Sequence, residues 1–121
     1  MASILLVEDI DDNAALIQRV LVSQGHQVLW AKNGGQALDL SSEHDVELVL
    51  LDLGLPDIDG QTLVPHLRRI PGMADVPILV VTAWPKDTAL TMVTAYGCNG
   101  YISKPVDIHK LMDLVQKHLS A

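Results

Sequence analysis

Short runs rich in leucine and β-branched residues alternate with stretches whose apolar residues recur at helical spacing, and this alternation constrains the fold more than any other feature of the chain. The runs are Ser3 to Val7, Gln27 to Ala31, Glu47 to Leu51, Pro77 to Thr82 and Asn99 to Ser103, each bounded by turn residues. Between them Leu16, Ile17, Val20 and Leu21, then Ala37, Leu38 and Ser41, then Leu63, Leu67 and Ile70, then Leu90, Val93 and Ala95 mark apolar helix faces. A last helix follows Pro105, with Asp107 as its N-cap and Ile108, Leu111, Met112, Val115 and Leu119 on one face. Gly25 and Gly97 are placed as helix stops, and Asn33 and Asp59 as N-caps. Pro65 removes a ladder donor from the third helix, which is therefore expected to be bent or late in starting.

A repeated strand–helix unit predicts an α/β fold: a doubly wound, flavodoxin-like parallel sheet with right-handed crossovers and helices on both faces. Ile4 to Val7 and Leu48 to Leu51 are nearly continuous apolar runs, so they form the central pair, and the strand order 2-1-3-4-5 follows. The 121 residues suit one domain, spanning 1–121 with no output domain. A net charge of -7 disfavours binding to nucleic acid or to an anionic membrane. Cys98 is the single cysteine, so no internal disulfide forms, and with no basic leader before the apolar run at Ile4 a cytoplasmic location is expected.

In open sheets of this kind the binding crevice lies at the carboxyl ends of the strands, where the order reverses between strands 1 and 3. Strand 1 runs into Glu8 and Asp9, strand 3 into Asp52, strand 4 into Thr82 and strand 5 into Ser103 and Lys104. Carboxylates gathered there repel one another by about 4 kcal/mol per close pair, and Lys104 supplies only one compensating charge. Hard oxygen ligands with positions left for water and phosphate describe a Mg²⁺ site, so Mg²⁺ is the expected cofactor. With Thr82 able to donate to an oxyanion and Lys104 adding positive charge, the cluster suits a phosphoryl group, and Asp52 is the best placed nucleophile.

These residues resemble the receiver domain of two-component response regulators, chemotaxis receivers included, across essentially the whole chain. The resemblance is carried by Leu6-Val7-Glu8-Asp9, by Leu51-Asp52-Leu53-Gly54-Leu55-Pro56-Asp57-Ile58-Asp59-Gly60, by Val81-Thr82-Ala83 and by Tyr101-Ile102-Ser103-Lys104-Pro105. It implies that Asp52 accepts a phosphoryl group from a histidine kinase or histidine phosphotransfer protein, and that Glu8, Asp9, Asp52 and the Gly54 carbonyl hold Mg²⁺. It further implies that Thr82 and Lys104 contact the phosphoryl oxygens and that Tyr101 changes rotamer together with Thr82. The surface of helix 4, strand 5 and helix 5 would signal the change to a protein target, and Lys104-Pro105 would be cis. A free-standing response regulator, monomeric or dimerising on phosphorylation, fits these residues, as does a piece of a longer protein.

Gly54 and Trp84 stand two residues beyond Asp52 and Thr82, where this family influences the lifetime of the acyl phosphate, and Pro85 gives helix 4 a rigid first turn. Asp11, Asp12, Asp57 and Asp59 are read as capping or solvating loops, and the five histidines lack ligand spacing. Two other functions stay open: a degenerate receiver acting as a constitutive protein-binding module, and a small phosphatase. The phosphatase would need an acid where Gly54 stands.

Overall fold

The computed structural model describes residues 2–119. Strands β1 (Ser3–Val7), β2 (Gln27–Ala31), β3 (Leu48–Asp52), β4 (Ile78–Thr82) and β5 (Gly100–Ser103) alternate with helices α1 (Asp11–Ser23), α2 (Gly34–Glu43), α3 (Gly60–Arg68), α4 (Lys86–Tyr96) and α5 (Ile108–Leu119). The strands form one parallel sheet in the order β2-β1-β3-β4-β5, as the sequence predicts. Every residue of β3 and β4 is buried, and so is all of β1 except Ser3, because helices cover both faces of these inner strands.

Side-chain alternation divides the core into two layers. Ile4, Leu6, Leu48, Leu50, Leu79, Val81 and Ile102 face α1 and α5, where they meet Ala14, Ile17, Leu21, Leu111 and Val115. Leu5, Val7, Val49, Leu51 and Ile78 face the other way, onto Ala37, Leu63, Val64 and Leu67 of α2 and α3. Each large apolar side chain buried in this way stabilises the fold by about 2 kcal/mol before the entropy cost is counted.

The boundaries shift from the sequence reading for identifiable reasons. Pro77 has no N–H to donate, so the β4 ladder begins at Ile78, although the Pro77 carbonyl accepts from Val49 N–H at 2.9 Å. Asp52 belongs to β3 rather than following it, since its backbone pairs with Val81. The third helix starts directly at Gly60 and is not late, with Pro65 inside it. Asn33 and Asp107 cap as expected, accepting from Gln36 N–H at 2.9 Å and His109 N–H at 2.9 Å. Asp59 stands at the N-cap of α3 but makes no side-chain cap bond; its carbonyl accepts from Thr62 and Leu63 instead. Leu16 and Leu90, read as core-facing, are 41% and 43% exposed, because Ile17 and Leu21 carry the α1 contact and Ala89 and Met92 that of α4.

Arg68 was assigned nothing by the sequence and proves to be a structural tie. Its guanidinium donates to the carbonyls of Met73, Val76 and Gly97 and to Asn99 Oδ1, whose oxygen also accepts from Ile78 N–H at 2.9 Å. One planar fork thus joins α3, the loop into β4 and the turn into β5. Arg68→Ala should lower the unfolding free energy by about 3 kcal/mol, read from the urea midpoint, and Arg68→Lys should recover little because an ammonium cannot span these acceptors. Beside it, burial pushes the Cys98 thiol up to about 11 against the pull of the Arg68 charge, leaving it protonated and unreactive.

Candidate functional site

The two inner strand ends and the loop after β5 deliver the carboxylates and the lysine to one place. Asp52 follows Leu48 and Leu50 by the period of two, so its side chain stands on the α1/α5 side of the sheet edge. Lys104 Nζ lies 3.1 Å from Asp52 Oδ1 and 3.8 Å from a Glu8 carboxylate oxygen. The Gly54 N–H also donates to Asp52 Oδ1, at 3.2 Å. Lys104 is held from behind by its own N–H, which donates to the Thr82 carbonyl at 2.9 Å, and its bond to Pro105 is cis.

Glu8 is fixed by β2 on both sides of its backbone. Its N–H donates to the Ala31 carbonyl at 3.0 Å, and its own carbonyl accepts from the Trp30 indole N–H at 2.9 Å. Sequence reasoning missed Trp30, because nothing local connects a residue of the edge strand with an acid 22 positions earlier. Lys32 completes this rim, lying 4.9 Å from the Trp30 ring centre and 3.3 Å from Asp11.

Carboxylate oxygens of Glu8, Asp9 and Asp52 all lie within 4.8 Å of one another. Glu8 Oε2 and Asp9 Oδ1 are buried and have no hydrogen-bond partner. A hard divalent cation takes carboxylate oxygens as ligands, and binding one here would give the two orphaned atoms the partner they lack. The donor set and its unsatisfied atoms therefore fit a hard divalent cation, with Glu8, Asp9 and Asp52 as the residues able to hold it.

The electrostatics point the same way. Burial first, then hydrogen bonding to Asp52 and its charge, push the Glu8 carboxyl up to about 7, against the Lys104 charge and a bond to Asn13. Burial also opposes ionisation of Asp52, but bonds from Glu8 and Gly54 together with the Lys104 charge outweigh it and hold Asp52 below the usual carboxylate range. At neutral pH the cluster thus keeps Asp52 ionised and shares a proton on Glu8.

A pH dependence follows. Between about 4.5 and about 7 the folded chain binds a proton at Glu8 that the unfolded chain does not, so stability without metal should fall as pH rises through that window. The fall should be on the order of 1–2 kcal/mol after screening by water at the mouth of the site. A bound divalent cation requires the carboxylate, so its affinity should rise with pH up to about 7 and then level off. Urea midpoints measured across this range in EDTA and in Mg²⁺ should diverge, whereas Glu8→Gln should remove the decline.

Thr82 and Tyr101 occupy the opposite side of the sheet from Asp52. Thr82 ends β4 two residues after Val80, and Tyr101 pairs with Val80, so both project toward the helix layer containing Met92. Thr82 is buried, and its Oγ accepts from Trp84 N–H at 3.0 Å, which leaves the hydroxyl hydrogen able to donate over the strand end. Tyr101 is half-buried against the cluster of Leu53, Val80 and Met92. Gly54 lies exposed at the start of the loop after β3, while Trp84 is 39% exposed beside the start of α4, with Pro85 as that helix's N-cap.

Residues 4–116 match the family model for the response regulator receiver domain. The polar-differentiation response regulator DivK of Brucella anthropi is 29% identical over 117 residues, covering 97% of this chain and 95% of that protein. A response-regulator structure from Chloroflexus aurantiacus superposes with a TM-score of 0.93 at 31% identity, covering 99% of this chain and 98% of the other. The receiver domain of a sensor histidine kinase from Pseudomonas aeruginosa PAO1, solved with a magnesium ion coordinated in its active site cleft, superposes at 0.90 with 28% identity, covering 99% and 98%.

A doubly wound sheet with an acid cluster at its switch point, matched by the receiver model over residues 4–116, defines a signalling receiver domain. The chain belongs to the response regulator receiver domain family. Its place is in two-component signalling, in which receiver domains meet histidine kinases or phosphotransfer proteins and downstream targets. No helix among the described residues is long and apolar enough to cross a membrane.

Proposed function

We propose that the chain is a phosphorylation-dependent switch in which Asp52 accepts a phosphoryl group from a phosphohistidine of a kinase or phosphotransfer protein. The observation that carries this reading is an Asp52 carboxylate oxygen held by Lys104 and the Gly54 N–H beside two buried carboxylate oxygens without partners. A carboxylate oxygen of Asp52 attacks phosphorus, the phosphorus–nitrogen bond breaks, and the imidazole leaves with the electron pair, giving an aspartyl phosphate. Mg²⁺, held by Glu8, Asp9, Asp52 and the Gly54 carbonyl, would supply charge neutralisation between carboxylate and phosphoryl oxygens.

Lys104 then exchanges its bond to Asp52 for one to a phosphoryl oxygen, while Thr82 donates its hydroxyl from the far side of the strand end. Drawing Thr82 inward vacates space above Val80 into which Tyr101 can turn, and this links the site to the α4, β5 and α5 surface. Leu90 and Tyr96 of α4 are exposed apolar side chains available to a protein target. We read 1–121 as one receiver domain acting in the cytoplasm through protein partners. Its chemistry is confined to gaining and losing its own phosphoryl group.

The test is intact-mass spectrometry after incubation with acetyl phosphate. One phosphate adduct that requires Mg²⁺, disappears with EDTA and maps to Asp52 is expected. If acetyl phosphate and a phosphohistidine donor both leave the mass unchanged, the switch reading gives way to a constitutive binding module.

A further inference from the structure

Asp57 lies outside the acidic cluster, in the loop between β3 and α3, yet it makes a two-pronged long-range contact from that loop. Its two carboxylate oxygens accept from the first two backbone N–H groups of α2, Gly34 at 2.8 Å and Gly35 at 3.1 Å. These bonds, the Gly34 one foremost, hold the Asp57 carboxyl below the usual carboxylate range, so it stays ionised at neutral pH.

The contact depends on shape as well as charge. A Cβ on Gly34 would run into the Ile58 side chain, so a larger residue there would push the loop away from α2. At the far end of the loop, Gly60 N–H donates to the Leu53 carbonyl at 3.1 Å. At the near end, Gly54 N–H donates to Asp52 Oδ1 at 3.2 Å. The segment from Leu53 to Asp59 is therefore tied to β3 through Gly54, closed on itself by the Gly60–Leu53 bond, and held in its middle by Asp57.

We propose that Asp57 is a positioning residue for the cation site: its grip on the N-terminus of α2 sets the β3–α3 loop, and with it the carbonyl of Gly54, at the mouth of the acidic cluster. The inference rests on the reading that Gly54 is a metal ligand. Gly54 is exposed and carries no side chain, so its carbonyl direction is set by its own N–H bond to Asp52 together with whatever fixes the loop beyond it. The coupling is reciprocal. A cation that draws in the Gly54 carbonyl also steadies Asp57 and protects the Gly34 and Gly35 amides, which belong to a different helix.

The experiment measures Mg²⁺ affinity by calorimetry and Gly34 and Gly35 amide exchange by NMR, for the native chain, Asp57→Ala, Asp57→Asn and Asn33→Ala. Asn33 caps the same helix through Gln36 N–H and is the control for loss of helix stability alone. Asp57→Ala should weaken Mg²⁺ binding about tenfold, with Asp57→Asn between it and native, while Asn33→Ala binds as native does. Mg²⁺ should slow exchange of the two glycine amides in the native chain and not in Asp57→Ala. Native-like Mg²⁺ affinity in Asp57→Ala overturns the inference, as does an equal loss in Asn33→Ala. A native chain that binds no Mg²⁺ overturns the metal reading itself and takes this inference with it.

Discussion

The Asp52→Asn chain is expected to gain no phosphoryl adduct under conditions in which the native chain gains one, a complete loss read directly from intact mass. The substitution keeps the shape of the side chain and the oxygen that accepts from Gly54 N–H, but an amide has no anionic oxygen to attack phosphorus. It also removes one carboxylate from the cation site, so Mg²⁺ affinity should fall by tenfold or more. In EDTA the urea midpoint should fall slightly, because Lys104 and the Gly54 N–H favour the ionised Asp52 carboxylate in the folded chain. A midpoint at or above the native value would show that repulsion among Glu8, Asp9 and Asp52 outweighs those bonds. An adduct that persists at full level in Asp52→Asn would move the acceptor to another residue.

The second large effect is expected from Gly60→Ala, which touches no charge at all. A Cβ there would meet the Leu53 Cα at 2.6 Å and the Asp52 carbonyl oxygen at 2.9 Å, and both are backbone atoms that cannot rotate aside. Either α3 withdraws or the end of β3 shifts, and overpacking of this kind costs about 2–3 kcal/mol. Because the displaced atoms belong to Asp52 and Leu53, the variant should lose Mg²⁺ affinity and phosphoryl uptake together with stability. Denaturant titration and calorimetry on the same preparation check both. If Gly60→Ala were as stable as the native chain, the close packing of α3 on β3 would be wrong.

The chain's order of strands and helices was legible because its signals are local. Period-two and period-3.6 apolar patterns, the caps at Asn33 and Asp107, and the stop at Gly97, which adopts a φ of 71°, each need only a few neighbouring residues. The acids were legible for a different reason. A parallel sheet points all its carboxyl ends the same way, so polar residues following apolar runs must converge at the switch point. Glu8, Asp9, Asp52 and Lys104 converge there.

Sequence alone thus determined the architecture, the site's location and its charge, since these follow from periodicity and from parallel strand direction. Tertiary structure alone decided which groups hold the site in shape. Asp57 reads as one more loop acid until folding brings it to the N-terminus of α2, 23 residues away. Trp30, Arg68 and Gly34 likewise act through partners distant in sequence. The faces that Leu16 and Leu90 turn to solvent are set by which neighbouring side chains pack against the sheet. Hydrogen bonds and excluded volume act over a few ångströms of space, and only the folded chain fixes which residues come within that range.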